Sequence, residues 1–171
     1  MATVMKWSGM ALIVLCTTAL GLSASQALER RVRELETALA ALTGLEGELR
    51  YSLAPPDAAI ARLEERESLA AAGYLPACSA LCRRGTPFPE AWRRALERNQ
   101  GALSPEDLLI LSALSDTLGQ CDLDGQLAQV AQAQRLLKLQ LDSARQQSAA
   151  RGKLYRTMGL LSGAFLVVLF L

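Results

Sequence analysis

No charged residue occurs between Trp7 and Leu28, a run of 22 residues, and none follows Arg156, where Thr157 to Leu171 closes the chain with 15 uncharged residues. As a helix rising ~1.5 Å per residue, the first run would be about 33 Å long, enough to cross a hydrocarbon core of about 30 Å. The second makes only ~22 Å. It reaches across if Lys153, Leu154, Tyr155 and Arg156 join it, the long basic side chains extending back to the interface. The pattern predicts transmembrane helices at 1–28 and 157–171 flanking a domain at 29–156.

Lys and Arg are retained on the cytoplasmic side of a span, which sets the orientation. Arg30, Arg31 and Arg33 follow the first run, and Arg151, Lys153 and Arg156 precede the second. Both place 29–156 in the cytoplasm. A competing reading takes Met1 to Ser25 as a secretory signal, with Lys6 in its basic region and Ser23-Ala24-Ser25 as the small-residue cleavage site. The central domain would then be extracytoplasmic, held by its C-terminal anchor. Translocating three arginines directly after the cleavage site runs against the charge bias.

Over the whole chain, hydrophobic residues are 51% but aromatic ones only 5%, so Ala and Leu, strong helix formers, dominate. The fold class this predicts is all-α, a bundle of about six helices. Leu28, Val32, Leu35, Leu39, Leu42, Leu45 and Leu49 recur at spacings of three and four as one helical stripe. The first span continues into this helix, which Tyr51 to Pro56 stops. Short helices are expected near 57–71, 75–84, 89–99 and 104–118, broken by Gly73, Gly85, Gly101 and Gly119. Pro56-Asp57, Pro89-Glu90 and Pro105-Glu106-Asp107 each put proline and acid in a first turn, where neither disrupts and the acid meets the positive end of the helix dipole. Ser104 is an added N-cap. From Asp122 the pattern Leu123, Leu127, Val130, Gln134, Leu137 and Leu141 forms a last long helix to Gly152 and on into the second span.

Histidine is absent, which removes imidazole-based triads and the commonest ligand of catalytic zinc. No phosphate-cradling Gly loop ending in Lys and Ser or Thr is present. The 18 Lys+Arg and 17 Asp+Glu leave a net charge of +1, too balanced for a nucleic-acid surface. No enzyme activity, cofactor, metal or small-molecule substrate is therefore expected. Cys78 and Cys82, one helical turn apart, read as small buried side chains rather than half of a metal site, because no further pair completes a ligand set. Asp122 and Asp124 lie in a Gly-flanked loop that lacks the closing Glu of a calcium loop, and a helix cap is the expected role. A membrane enzyme using those two carboxylates is the weakest alternative.

Two features point to partners. Arg83, Arg84, Arg93, Arg94 and Arg98 are offset only by Glu90 and Glu97 between residues 83 and 98. They form either a docking face for an acidic partner or anionic headgroups, or a solvated helix face. Trp92 beside them is expected in the core with Phe88 and Leu96. In the spans, Thr17, Gly21 and Ser25, and Gly159 with Gly163, place small residues every fourth position, allowing close helix packing within one hairpin or between copies in a homo-oligomer.

The segment Gly152-Lys153-Leu154-Tyr155-Arg156-Thr157-Met158-Gly159-Leu160-Leu161-Ser162-Gly163, running to an apolar end, resembles the stage III sporulation protein AB family. So do Leu45-Glu46-Gly47-Glu48-Leu49-Arg50-Tyr51 followed by Pro55-Pro56, the Glu90-Ala91-Trp92 helix start, and Leu118-Gly119-Gln120 with Asp122 and Gln126. The resemblance covers nearly the whole chain. It departs at Cys121, where a small polar residue is expected, and in a short helix at 75–84. It implies a component of the mother-cell complex that spans the space to the forespore in endospore-forming bacteria. It further implies a cytoplasmic domain similar to the helical domain of the type II secretion inner-membrane platform protein. On that resemblance the role is a scaffold coupling a cytoplasmic secretion-type ATPase to the membrane channel and to other stage III sporulation proteins, and it implies no catalytic residue.

Overall fold

The computed structural model describes residues 2–170, with the side chains of Ala19, Ser23, residues 25–150 and Thr157. Six α-helices form among the described residues, with no strand. The chain is all-α, as its Ala and Leu content predicts.

The leucine stripe makes the buried face of the first helix, α1 (Ala2–Gly47). Leu35, Leu42 and Leu45 are buried, and Leu49 continues the stripe just beyond the helix. Leu28, Val32 and Leu39 are half-buried. Ala38, Ala41 and Gly44 share the seam. A Cβ on Gly44 would lie 2.6 Å from Leu63 Cδ2, so a bare backbone here lets the second helix close against α1. The end of α1 widens into a π turn over Glu48–Ser52 and stops at Leu53, whose backbone is left-handed at φ 48, ψ 29.

Helix starts follow the expected chemistry. α2 (Pro56–Glu64) and α5 (Pro105–Ser112) begin on proline, and α4 (Phe88–Arg98) has Pro89 in its first turn. Ser104 closes a capping box: its Oγ accepts the Asp107 N–H, and the Asp107 carboxylate accepts the Ser104 N–H at 2.9 Å. α3 spans Tyr74–Arg83 and α6 spans Leu123–Phe170.

Two helices end earlier than expected. The run 57–71 is helical only to Glu64, followed by a 3₁₀ turn at Glu67–Leu69. Leu63 and Leu69 are both buried, yet six helical residues would rotate one about 240° from the other. A break is the way to bury both. The run 104–118 becomes 3₁₀ at Ala113–Asp116. There Ser112, Ser115 and Thr117 hydroxyls donate to carbonyls three residues back, competing with the regular ladder. The tighter turn buries Leu111, Leu114 and Leu118 together.

Backbone packing divides the chain into two compact units, Arg33–Asp142 and the remainder comprising residues up to Val32 and from Ser143; α1 and α6 each contribute to both. In the 33–142 unit, which falls inside the 29–156 stretch, α3 packs on α2 and α4, and α4 also meets α5 and the 3₁₀ turn that follows it. Trp92 is the largest fully buried side chain. Its indole N–H donates to the Leu111 carbonyl at 2.8 Å, its face stacks with Phe88, and Tyr74 meets it edge-on with centroids 5.6 Å apart. In the other unit, Ser25 and Ala144 are buried.

Among the described residues no helix is long and apolar enough to cross a membrane. The transmembrane helices expected at 1–28 and 157–171 thus receive no support from the structure. Nearly all of their side chains, with Thr17, Gly21, Gly159 and Gly163, lie outside the described residues.

Candidate functional site

The π turn is held from both sides by carboxylates. Glu46 pairs with Arg50 at 2.9 Å and accepts from Gln134 of α6 at 3.2 Å. Glu48 takes Arg62 at 3.0 Å and Arg66 at 2.7 Å, bracketing the end of α2, and also the Ser52 hydroxyl. The Arg62 hydrogen bond, then that of Ser52, holds the Glu48 carboxyl below its ordinary range. Leu45 and Leu49 point into the core between these acids. The segment Leu45 to Tyr51 thus works as a knot joining α1, α2 and α6.

That knot lifts two large apolar side chains into solvent: Tyr51 is 83% and Leu53 72% exposed. Leu53 forms one wall of a groove of 320 Å³ that also involves Leu49, Pro55, Pro56, Leu123 and Gln126. The opposite wall is fixed by Gln126, which accepts the Gly119 N–H and donates to the Cys121 carbonyl at 2.9 Å. Gly119 has φ +77, and its bare backbone lies beside Pro56. Asp122 caps α6 by accepting the Gly125 N–H at 3.1 Å, the role expected of it; Asp124 is exposed.

Three of the segments that carry the family resemblance, Leu45 to Tyr51, Pro55-Pro56 and Gly119 to Gln126, contribute residues to this groove; Glu90-Ala91-Trp92 does not. A leucine in left-handed backbone and a π turn, both unfavourable locally, adjoin it, and such strain concentrates at functional positions. Sequence reasoning did not single out Tyr51 or Leu53. The signal available was two large apolar residues inside a helix-stopping segment.

The arginine cluster is partly dispersed. Arg83 turns toward α2, pairing with Glu64 at 2.7 Å and donating to Ser79. Arg94 pairs with Glu90 on its own helix. Arg93, Arg84 and Arg98 are exposed without an ion pair among the described residues. Arg93 borders a second groove, of 360 Å³, with Leu96, Pro105, Leu108 and Leu109; Leu109 is 72% exposed. Trp92 faces the core, not this surface.

Cys78 is fully buried and Cys82 half-buried. Burial pushes both thiols up, away from the reactive thiolate. Cys121 is exposed, its Sγ 3.2 Å from the Thr117 carbonyl.

Two long helices, four short ones between them in sequence, and apolar grooves at their junctions define an all-helical bundle protein. The family profile described as stage III sporulation protein AB matches residues 6–171, and the chain belongs to that family, which implies a role in sporulation. Stage III sporulation protein AB of Bacillus subtilis (strain 168) is 25% identical over 170 residues, covering 98% of this chain and 99% of that protein. A solved structure of a stage III sporulation protein AB is similar at a TM-score of 0.59 with 24% identity, over 70% of this chain and 96% of that one. That likeness shows the fold.

Proposed function

We propose that the chain is a non-enzymatic, membrane-anchored assembly component of the channel between mother cell and forespore, coupling a cytoplasmic secretion-type ATPase to the channel's membrane part. In this reading, residues 29–156 face the mother-cell cytoplasm at the outer forespore membrane, between spans at 1–28 and 157–171. The observation that carries it is the groove walled by exposed Leu53, with exposed Tyr51 two residues earlier in the chain, where segments far apart in sequence converge to present apolar surface. Exposed aromatic and aliphatic anchors beside a groove are what a partner helix buries on docking. Exposed Arg93 adds a positive charge beside the second groove, suited to orienting an acidic partner, and Arg84 and Arg98 are exposed as well. Thr17, Gly21 and Ser25, with Gly159 and Gly163, would pack the spans, within one chain or between copies.

The test replaces Leu53 with a photo-crosslinking residue in sporulating cells and identifies what it captures. Capture of the ATPase supports the reading. Deletion of the gene should stop heat-resistant spore formation, and undiminished spore yield would refute the role. Protease added outside intact cells should leave 29–156 uncut; cleavage there would refute the cytoplasmic placement. Crosslinking between copies that survives Gly159→Leu with Gly163→Leu would exclude those glycines as the contact.

A further inference from the structure

A cavity of 230 Å³ lies within the 33–142 unit, lined by α1, the start of α3 and the connection from α4 to α5. It shares no lining residue with either groove. Its polar lining is Glu34, Thr37, Tyr74 and Asn99; Ala72 and Leu103 supply apolar wall.

Glu34 is half-buried and makes no ion pair with any described residue. One of its oxygens, Oε2, accepts the Ala102 N–H at 2.6 Å, which leaves Oε1. Tyr74 is 4% exposed, and its buried hydroxyl has no hydrogen-bond partner among the described residues. Burial, then the Glu34 charge, pushes that phenol up, so it stays neutral. Asn99 Nδ2 is engaged by the Ala95 carbonyl at 2.8 Å, leaving Oδ1 as its free end beside Gly73. The Thr37 hydroxyl donates to the Arg33 carbonyl and keeps its lone pairs. The lining therefore offers acceptors at Glu34, Thr37 and Asn99 and one negative charge, with the Tyr74 hydroxyl and the second Asn99 N–H as neutral donors and no cation.

A partly desolvated carboxylate is stabilised by a counter-charge. A divalent ion does not suit the site: one carboxylate is too few hard ligands, and no group of three His, Cys, Asp or Glu assembles among the described residues. We propose that this cavity receives a single nitrogen cation on an alkyl stem, a primary ammonium. Such a group brings three donors and no acceptor, complementary to Glu34 and to the Asn99 and Thr37 oxygens, while the stem lies along Ala72 and Leu103. A lysine side chain of a polypeptide and a free alkylamine share this chemistry.

The test titrates the full chain in detergent with propylammonium, with N-acetyl-lysine-N-methylamide and with tetramethylammonium, reading binding by calorimetry. Propylammonium should saturate the site, and tetramethylammonium, charged but without N–H donors, should bind about tenfold more weakly or worse. Glu34→Gln keeps an acceptor for Ala102 yet removes the charge, and should weaken propylammonium by about tenfold or more. Equal binding of the lysine derivative points to a polypeptide source, and binding of propylammonium alone points to a free amine; both support the proposal. Absence of saturable binding by either, or affinity unchanged in Glu34→Gln, overturns it. Asn99→Ala removes the second acceptor and decides the matter if Glu34→Gln does not fold: unchanged affinity there overturns the proposal too.

Discussion

Replacing Leu53 with glycine separates a residue kept for contact from one kept for stability. Leu53 sits at φ 48, ψ 29, the position just past a helix end where glycine is ordinarily found. A side chain in left-handed backbone costs about 1–2 kcal/mol, which Leu53→Gly relieves. Against this, glycine's freedom in the unfolded chain takes back about 0.4–1 kcal/mol. The side chain is 72% exposed, so its lost burial adds only about 0.5 kcal/mol. The terms nearly cancel, and the net change should lie within about 1 kcal/mol of zero, where truncating a core leucine costs about 2–5 kcal/mol. Docking should respond differently: loss of an interface anchor costs about 2 kcal/mol, roughly thirtyfold in affinity. Urea unfolding of the full chain and heat-resistant spore counts of the matching strain measure the two effects. Unchanged stability with depressed spore yield is the expected result. A loss of more than about 2 kcal/mol would show that Leu53 holds the fold, and normal stability with normal spore yield would remove it from the docking surface.

Other changes test the framework beneath the groove. Glu48 has its folded pKa below the ordinary 4.5, so its contribution is full above that value and is lost as pH falls through the folded pKa; Glu48→Gln should flatten the acid limb of a stability-versus-pH curve, and an unaltered limb would refute the clamp. Trp92→Phe leaves the Leu111 carbonyl without its indole donor and opens space in the core, costing about 2–4 kcal/mol by chemical denaturation. Gly101 has φ +58, and a Cβ there would collide with both carboxylate oxygens of Glu34. Gly101→Ala should therefore destabilise by about 2–4 kcal/mol, with a loss under about 0.5 kcal/mol arguing that the α4–α5 connection is free to move.

Why some of this was legible in the amino-acid order, and some not, follows from the range of the interactions. Helix starts depend on atoms within four residues, so Pro56, Ser104, Pro105 and Asp122 announce them, and the structure places each cap where its chemistry requires. Helix ends depend on what must be buried: nothing local to residues 57–71 says that Leu69 has to share the core with Leu63. The arginine cluster shows the same limit, since Arg83 is answered by Glu64, 19 positions earlier on another helix. The groove was the least visible feature. Pro55-Pro56 and Gly119 to Gln126 stood in the resemblance as separate segments, and only folding makes them adjacent. Leu53 carries no turn signal at all, because glycine or asparagine is what left-handed backbone ordinarily selects. A leucine there, mostly in water, gains little from the fold and strains it. Under the docking proposal, its presence is explained by a partner that the side chain meets.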